Sequence, residues 1–158
     1  MANTKLTKEA LAKALKELLH ERPLDKISVK DITEHCGMSR NNFYYHFQDK
    51  YELISWIFYD DISKKVKTYA DSSKFLEDSF TSVCECLYNE REFYLKCFKY
   101  VEQNSLFDVL TELYMELWTK TLRERYANSG LDLSDDEIQL IAKMNTRAMV
   151  GMITDWVK

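Results

Sequence analysis

Residues 39–47 read Ser-Arg-Asn-Asn-Phe-Tyr-Tyr-His-Phe and gather hydrogen-bonding side chains into one short stretch. With Phe43 and Phe47 turned inward at i and i+4, Arg40, Asn41, Asn42, Tyr44, Tyr45 and His46 remain outward, and Lys50 lies just beyond. That face holds donors and amphipathic aromatics but no acid. It has the chemistry for reading duplex DNA: Arg pairs with guanine and Asn with adenine, while Tyr, His and Lys hold phosphate oxygens. Catalysis fits the sequence poorly. The three histidines, His20, His35 and His46, all precede residue 50, and no nucleophile has a matched base. A chain with three glycines also offers no Gly-rich phosphate loop. Cys36, Cys84, Cys86 and Cys97 match no zinc spacing and read as plain reduced thiols, with a redox role as the alternative. No cofactor and no metal are expected, and the chain is not expected to be an enzyme.

Such a face needs a rigid seat, and the flanking sequence supplies one. Leu11, Leu15, Leu18 and Leu19 form an apolar stripe that predicts a first helix over Thr7–Glu21, with Thr7 as N-cap and Pro23 ending it. Leu24–Ile27 reads as a short apolar connection. Ser28-Val29-Lys30-Asp31 is a capping box with Asp at its third helical position, opening a helix to about Cys36. Gly37 stands where a left-handed residue ends such a helix, and Met38 adds an apolar contact. Ser39 then caps a third helix from Arg40 to about Phe47. Two short helices joined by a Gly turn make a helix-turn-helix. The helix N-termini at Ser28 and Ser39 can also direct backbone N–H groups at phosphate.

A fourth helix is predicted from Lys50 to about Tyr69, with Leu53, Ile54, Ile57, Phe58, Ile62 and Val66 inward. Asp60–Lys64 and Asp61–Lys65 are its i,i+4 pairs. Residues 70–74 read as a linker, with helices following at about 75–88, 90–102, 105–127 and 135–157. Asn128-Ser129-Gly130 marks a break, and Ser134-Asp135-Asp136-Glu137 is a full capping box. The fold class is all-α. One Pro, three Gly and 46% apolar residues argue against both a turn-rich β fold and disorder. There is no apolar run near a membrane-spanning length and no signal pattern at Met1–Lys8. A soluble, cytoplasmic protein with no membrane partner is expected. The net charge of −4 disguises an asymmetry. Residues 1–50 carry nine Lys+Arg against seven Asp+Glu, whereas residues 51–158 carry thirteen against nineteen. A mildly basic head sits on an acidic body, as a DNA-reading domain with a separate regulatory body would show.

Residues 7–58 resemble the N-terminal DNA-binding domain of the TetR family of bacterial transcriptional regulators. The resemblance rests on Ser28-Val29-Lys30, the turn Gly37-Met38-Ser39, the run Phe43-Tyr44-Tyr45-His46-Phe47 and the pair Asp49-Lys50. Cys36 replaces the Ala common before that Gly. The resemblance implies a homodimer whose paired recognition helices read a palindromic operator in double-stranded DNA. Carried over by position, Lys30, Arg40, Asn41 and Tyr45 look like base or mixed contacts. Ser39, Tyr44, His46 and Lys50 look like phosphate contacts, and Asn42 could be either. Residues 1–50 would then be the DNA-binding domain, its core completed by the start of the fourth helix, and residues 51–158 the regulatory and dimerisation domain. The expected function is a repressor released by a small-molecule or protein effector. The alternative is an activator, or a regulator controlled by a partner protein docking on the body.

The body holds 17 of the 21 aromatics. Trp56, Phe93, Phe98, Tyr114 and Trp118 could line an effector pocket, or simply form core. On the last helix, Ile141, Ala148, Met149, Met152 and Trp156 are the candidate dimer face, where Ala148 and Gly151 would admit a close helix. The resemblance implies dimers that pair two C-terminal helices from each subunit, so either one more helix beyond Lys158 or a reduced interface is expected. The body also resembles the Firmicutes-type subgroup that includes activators of dihydroxyacetone-kinase operons, on Phe93-Tyr94 and Gly151-Met152-Ile153.

Overall fold

The computed structural model describes residues 2–66, 75–99, 105–127 and 133–157. The predicted linker at 70–74, the break at 128–130 and Tyr100 lie outside these residues. In chain order the elements are α1 (Ala2–Glu21), a 3-10 turn (Leu24–Lys26), α2 (Val29–His35), α3 (Arg40–His46), α4 (Lys50–Val66), α5 (Phe75–Asn89), α6 (Arg91–Phe98), α7 (Leu106–Ala127) and α8 (Asp135–Val157). No strand occurs among the described residues, so the fold is all-α as the periodicity requires.

Packing divides the chain into two compact units, residues 1–106 and 107–158. In the first, Leu11, Leu15, Leu19, Ile27, Ile32, Phe43, Leu53 and Phe58 are fully buried and bring α1, α2, α3 and α4 around one core. Phe93, Tyr94 and Cys97 of α6 are buried as well. In the second, Leu122, Ile138 and Ala142 form a cluster against which Met115, Trp118, Tyr126, Leu133 and Ile141 pack. Ser134 and Glu137 make the predicted capping box at the start of α8, Glu137 N–H donating to Ser134 Oγ at 3.3 Å and Ser134 N–H to Glu137 Oε2 at 2.9 Å.

One end differs from expectation. α1 begins at Ala2, so Thr7 lies inside the helix rather than capping it. Residues 2–6 contain neither Gly nor Pro, and the exposed Lys5–Glu9 pair at 3.8 Å supports an additional turn. Extending a helix by one turn is cheap once the nucleus exists, and here that outweighs a capping preference.

The turn between α2 and α3 follows its sequence closely. Gly37 has φ +69°, Met38 N–H donates to Thr33 O at 2.8 Å, and Gly37 N–H donates to Glu34 O at 3.2 Å. This is a complete Schellman ending, and it sets the angle at which α3 leaves α2. A Cβ at Gly37 would meet nothing within 4 Å, so only the left-handed backbone resists substitution. Gly37→Ala should therefore lower stability by about 1–2 kcal/mol. An unchanged urea midpoint for that variant would refute the assignment.

Candidate nucleic-acid interface

α3 is held from below by aromatic rings. Phe43 is 0% exposed, and its ring lies 5.8 Å from that of Phe47, which in turn lies 6.1 Å from Trp56 on α4. Lys8 of α1 sits over both Phe47 and Trp56, at 5.0 and 5.8 Å from their centroids. Ser39 caps the helix, its Oγ accepting from Asn42 N–H at 3.2 Å. Seven residues of α-helix span about 10 Å, a length that enters a B-DNA major groove about 12 Å wide.

The opposite face is open. Tyr45 is 81% and Tyr44 56% exposed, large values for aromatic side chains. Asn41 and Tyr45, at i and i+4, point most directly away from Phe43; Arg40 and Tyr44 flank them on one side, Asn42 and His46 on the other. Arg40, Asn41 and Asn42 are exposed, and among the described residues Arg40 has no ion pair. His46 is half-buried and meets Tyr45 edge-on, the ring centroids 4.9 Å apart. Among the described residues Lys30 on α2 pairs with Glu34 alone, at 3.6 Å across an exposed pair. Hydrogen-bonding capacity that the fold leaves uncommitted is therefore concentrated on one helix face, beside rings able to stack or cover sugar.

Ser28 and Asp31 fix the start of α2. Asp31 N–H donates to Ser28 Oγ at 3.2 Å, Ser28 N–H donates to Asp31 Oδ2 at 2.7 Å, and Arg22 Nη2 lies 3.2 Å from Asp31 Oδ1. The Ser28 hydroxyl and backbone bonds, with help from Arg22, hold the Asp31 carboxyl down at about 2. A depressed carboxyl stabilises the fold above its unfolded value near 4, and loses that contribution as pH falls toward 2. The unfolding midpoint of the wild type should drop more steeply across that window than that of Asp31→Asn. Parallel curves would show that the cap does not titrate with stability.

Lys50 is placed differently from its neighbours. Its Nζ donates to the carbonyls of Leu24 and Ile27, each at 2.7 Å. Asp49 caps α4, accepting from Tyr51 N–H at 2.8 Å and Glu52 N–H at 2.9 Å.

The candidate pocket residues separate between the two units. Trp56, Phe93 and Phe98 belong to the first, Tyr114 and Trp118 to the second. Phe93, Phe98 and Tyr114 are buried among their neighbours. Trp56 borders a groove of about 250 Å³ between α1 and α4, lined also by Glu9, Lys16 and Asp60. Trp118 packs on the Leu122–Ile138–Ala142 cluster. On α8, Ala148, Met152 and Trp156 are exposed, Met149 is half-buried, and Ile141 leans on that same cluster.

Sequence reasoning passed over one group. Asp61 was assigned to Lys65, whose side chain lies outside the described residues. Its Oδ2 accepts from Lys16 Nζ of α1 at 3.2 Å and from Tyr94 Oη of α6 at 3.0 Å. Lys16 also lies 3.6 Å from Glu90 and over the Phe93 ring at 5.3 Å. A polar node thus joins α1, α4 and α6. Desolvation, with Cys86 and Asp61 beside it, pushes the Tyr94 hydroxyl far above its ordinary range, so it stays a donor. Cys86 and Cys97 are buried, Cys36 and Cys84 half-buried, and burial raises the thiols of Cys36, Cys84 and Cys97. Among the described residues, no group of three His, Cys, Asp or Glu could hold a metal ion, and no helix is long and apolar enough to cross a membrane.

Two capped short helices, a left-handed Gly turn and an open, acid-free recognition face define a helix-turn-helix DNA-binding protein. A family model described as "Bacterial regulatory proteins, tetR family" matches residues 11–55, and one described as "Transcriptional regulator C-terminal region" matches residues 74–158. The chain belongs to the TetR family of bacterial transcriptional regulators, and is a regulator rather than an enzyme. It is 28% identical over 152 residues to the HTH-type dhaKLM operon transcriptional activator DhaS of Lactococcus lactis subsp. lactis (strain IL1403), covering 96% of this chain and 80% of that one. Among solved structures, the dihydroxyacetone kinase operon activator DhaS superimposes with a TM-score of 0.66 at 25% identity, over 96% of this chain and 84% of that one. NalD, the secondary repressor of the MexAB-OprM multidrug efflux pump in Pseudomonas aeruginosa, shares the fold with a TM-score of 0.61 at 17% identity, over 98% and 85% of the two chains.

Proposed function

We propose that this protein is a homodimeric regulator that reads a palindromic operator through α3 and activates the adjoining operon. The observation that carries the DNA-reading part is the uncommitted face of Arg40, Asn41, Asn42, Tyr44, Tyr45 and His46. Arg40 and Asn41, with Tyr45 between the groove walls, address base edges; Lys30 joins them from α2. Ser39, Tyr44 and His46, with the N–H groups at the starts of α2 and α3, address phosphate. Residues 1–50 act as the reading head and residues 51–158 as the regulatory and dimerising body, in the cytoplasm.

The dimer reading is supported by α8. Leu140, Met144, Met152 and Trp156 are large and exposed, and with Ala148 they follow one another every four residues. Such an i±4 ridge is the surface by which helices interdigitate. A Cβ at Gly151 would meet open space, which leaves room for a second helix to approach closely. Activation rather than repression is favoured by the similarity to an operon activator over 96% of the chain.

Selection of duplexes from a random pool, at low salt, tests the reading. A palindrome with two half-sites about one helical turn apart is expected, as a two-fold dimer requires. Recovery of no preferred sequence would overturn it. Placing the selected palindrome upstream of a promoter in a purified transcription reaction then gives the sign. A fall in transcript on adding the protein alone would restore the repressor reading.

A further inference from the structure

Lys50 opens α4, and its ammonium lies over the Tyr51 ring while reaching back to the chain before α2. Both of its carbonyl partners, Leu24 O and Ile27 O at 2.7 Å, lie at the 3-10 turn joining α1 to α2. The residues carrying those carbonyls are themselves anchored, with Leu24 and Ile27 buried in the core. An ammonium has three donors, and two are committed here. The position is otherwise unfavourable. A positive charge in the first turn opposes the helix dipole, and burial disfavours the charged form, against which Asp25, Asp31 and Asp49 act only in part. Within α4 only the Tyr51 ring, its centroid 5.4 Å from the ammonium, offsets part of this among the described residues; the bonds across to residues 24 and 27 supply the rest.

The place of those bonds in the chain gives them their meaning. α2 begins two residues after Ile27, and α3 ends four residues before Lys50. The clasp therefore closes a ring that contains the whole helix-turn-helix. Reaching a phosphate with the full ammonium would mean vacating two carbonyls in a part-buried setting: Leu24 O would keep the Ile27 N–H at 3.1 Å, but Ile27 O would give up the ammonium donor.

We propose that Lys50 is a positioning residue for DNA recognition: by clasping the turn before α2 to the start of α4, it fixes the angle at which α2 and α3 meet the duplex. It acts through α3, not by neutralising a phosphate. This rests on the DNA-reading function proposed above.

The test compares the wild type with Lys50→Met and Lys50→Arg, both held well below their unfolding transitions. The probes are the palindrome that the wild type enriches and a scrambled duplex of equal composition, over a series of salt concentrations. Lys50→Met should lose about tenfold in affinity for the palindrome, as one poorly seated base contact does. Binding to the scrambled duplex should change much less, and the slope of log affinity against log salt should stay at the wild-type value. Lys50→Arg keeps the charge but not the compact ammonium, so it should lose specificity too. If both duplexes weaken equally, the slope falls by about one and Arg restores binding, Lys50 is a phosphate ligand and the proposal is overturned. It is also overturned if the folded variants bind both duplexes as the wild type does, since the clasp then serves stability alone. Should Lys50→Met fail to fold, Lys50→Arg decides by the same readings. A wild type that enriches no duplex overturns the DNA-reading function and this proposal together; variant results against a working wild type overturn this proposal alone.

Discussion

Phe43→Ala should unfold the reading head and remove DNA binding with it. Phe43 is fully buried, meets the Tyr44 ring edge-on and the Phe47 ring at a tilt, and is the buried side chain of the seven-residue α3. Deleting the ring removes its transfer energy and leaves a cavity that α1, α2 and α4 cannot collapse to fill, a loss of about 3–5 kcal/mol. That is a large part of the stability of a domain this size. Urea unfolding followed by circular dichroism measures it, and retention of the wild-type midpoint would show that α3 is held by something else. Phe43→Leu, which keeps most of the volume, should lose much less.

Arg40→Ala should leave the fold intact and damage recognition. The guanidinium is exposed at the first position of α3 and has no ion pair among the described residues, so its removal leaves nothing stranded. A bidentate contact to a base edge is worth about 1–3 kcal/mol, and its loss relaxes preference at one base position in each half-site. Affinities for a set of singly substituted operators give the pattern directly. Equal weakening on every duplex would turn Arg40 into a phosphate contact, and no weakening would remove it from the interface. Tyr45, 81% exposed, should tolerate Phe better than Ala if its ring does the work.

The helix-turn-helix was legible because its signals are local. Ser28 with Asp31, Gly37 with Met38, and Ser39 each determine backbone geometry within five residues, and the structure carries each of them out. Phe43 and Phe47 were legible by spacing alone. Regions that depend on distant partners were less legible. The bonds that Asp61 accepts from Lys16 and Tyr94, 45 and 33 residues away, leave no local pattern in the sequence. Lys50 sits in a basic, DNA-like context, and no pattern in the sequence indicates that carbonyls 23 and 26 residues earlier would claim it. The aromatics of the body show a similar limit: periodicity marks Phe93, Phe98 and Tyr114 as inward, but burial in a core and burial around a ligand leave one and the same pattern. The start of α1 was misjudged for the opposite reason, a local capping signal at Thr7 being overridden by an uninterrupted helix.

The Lys16–Asp61–Tyr94 node has a mechanical consequence. Sliding α6 along α1 would part the Asp61 carboxylate from one of its two donors, Tyr94 Oη, in a setting where both Lys16 and Asp61 side chains are less than a quarter exposed. Hydrogen bonds to a charged group are worth about 1.5–3 kcal/mol, several times the thermal energy. Small excursions of α6 are therefore not absorbed at the joint. α1, α4 and α6 are thus tied at one polar joint, and any shift of α6 against the other two helices must first break a bond to a charged group.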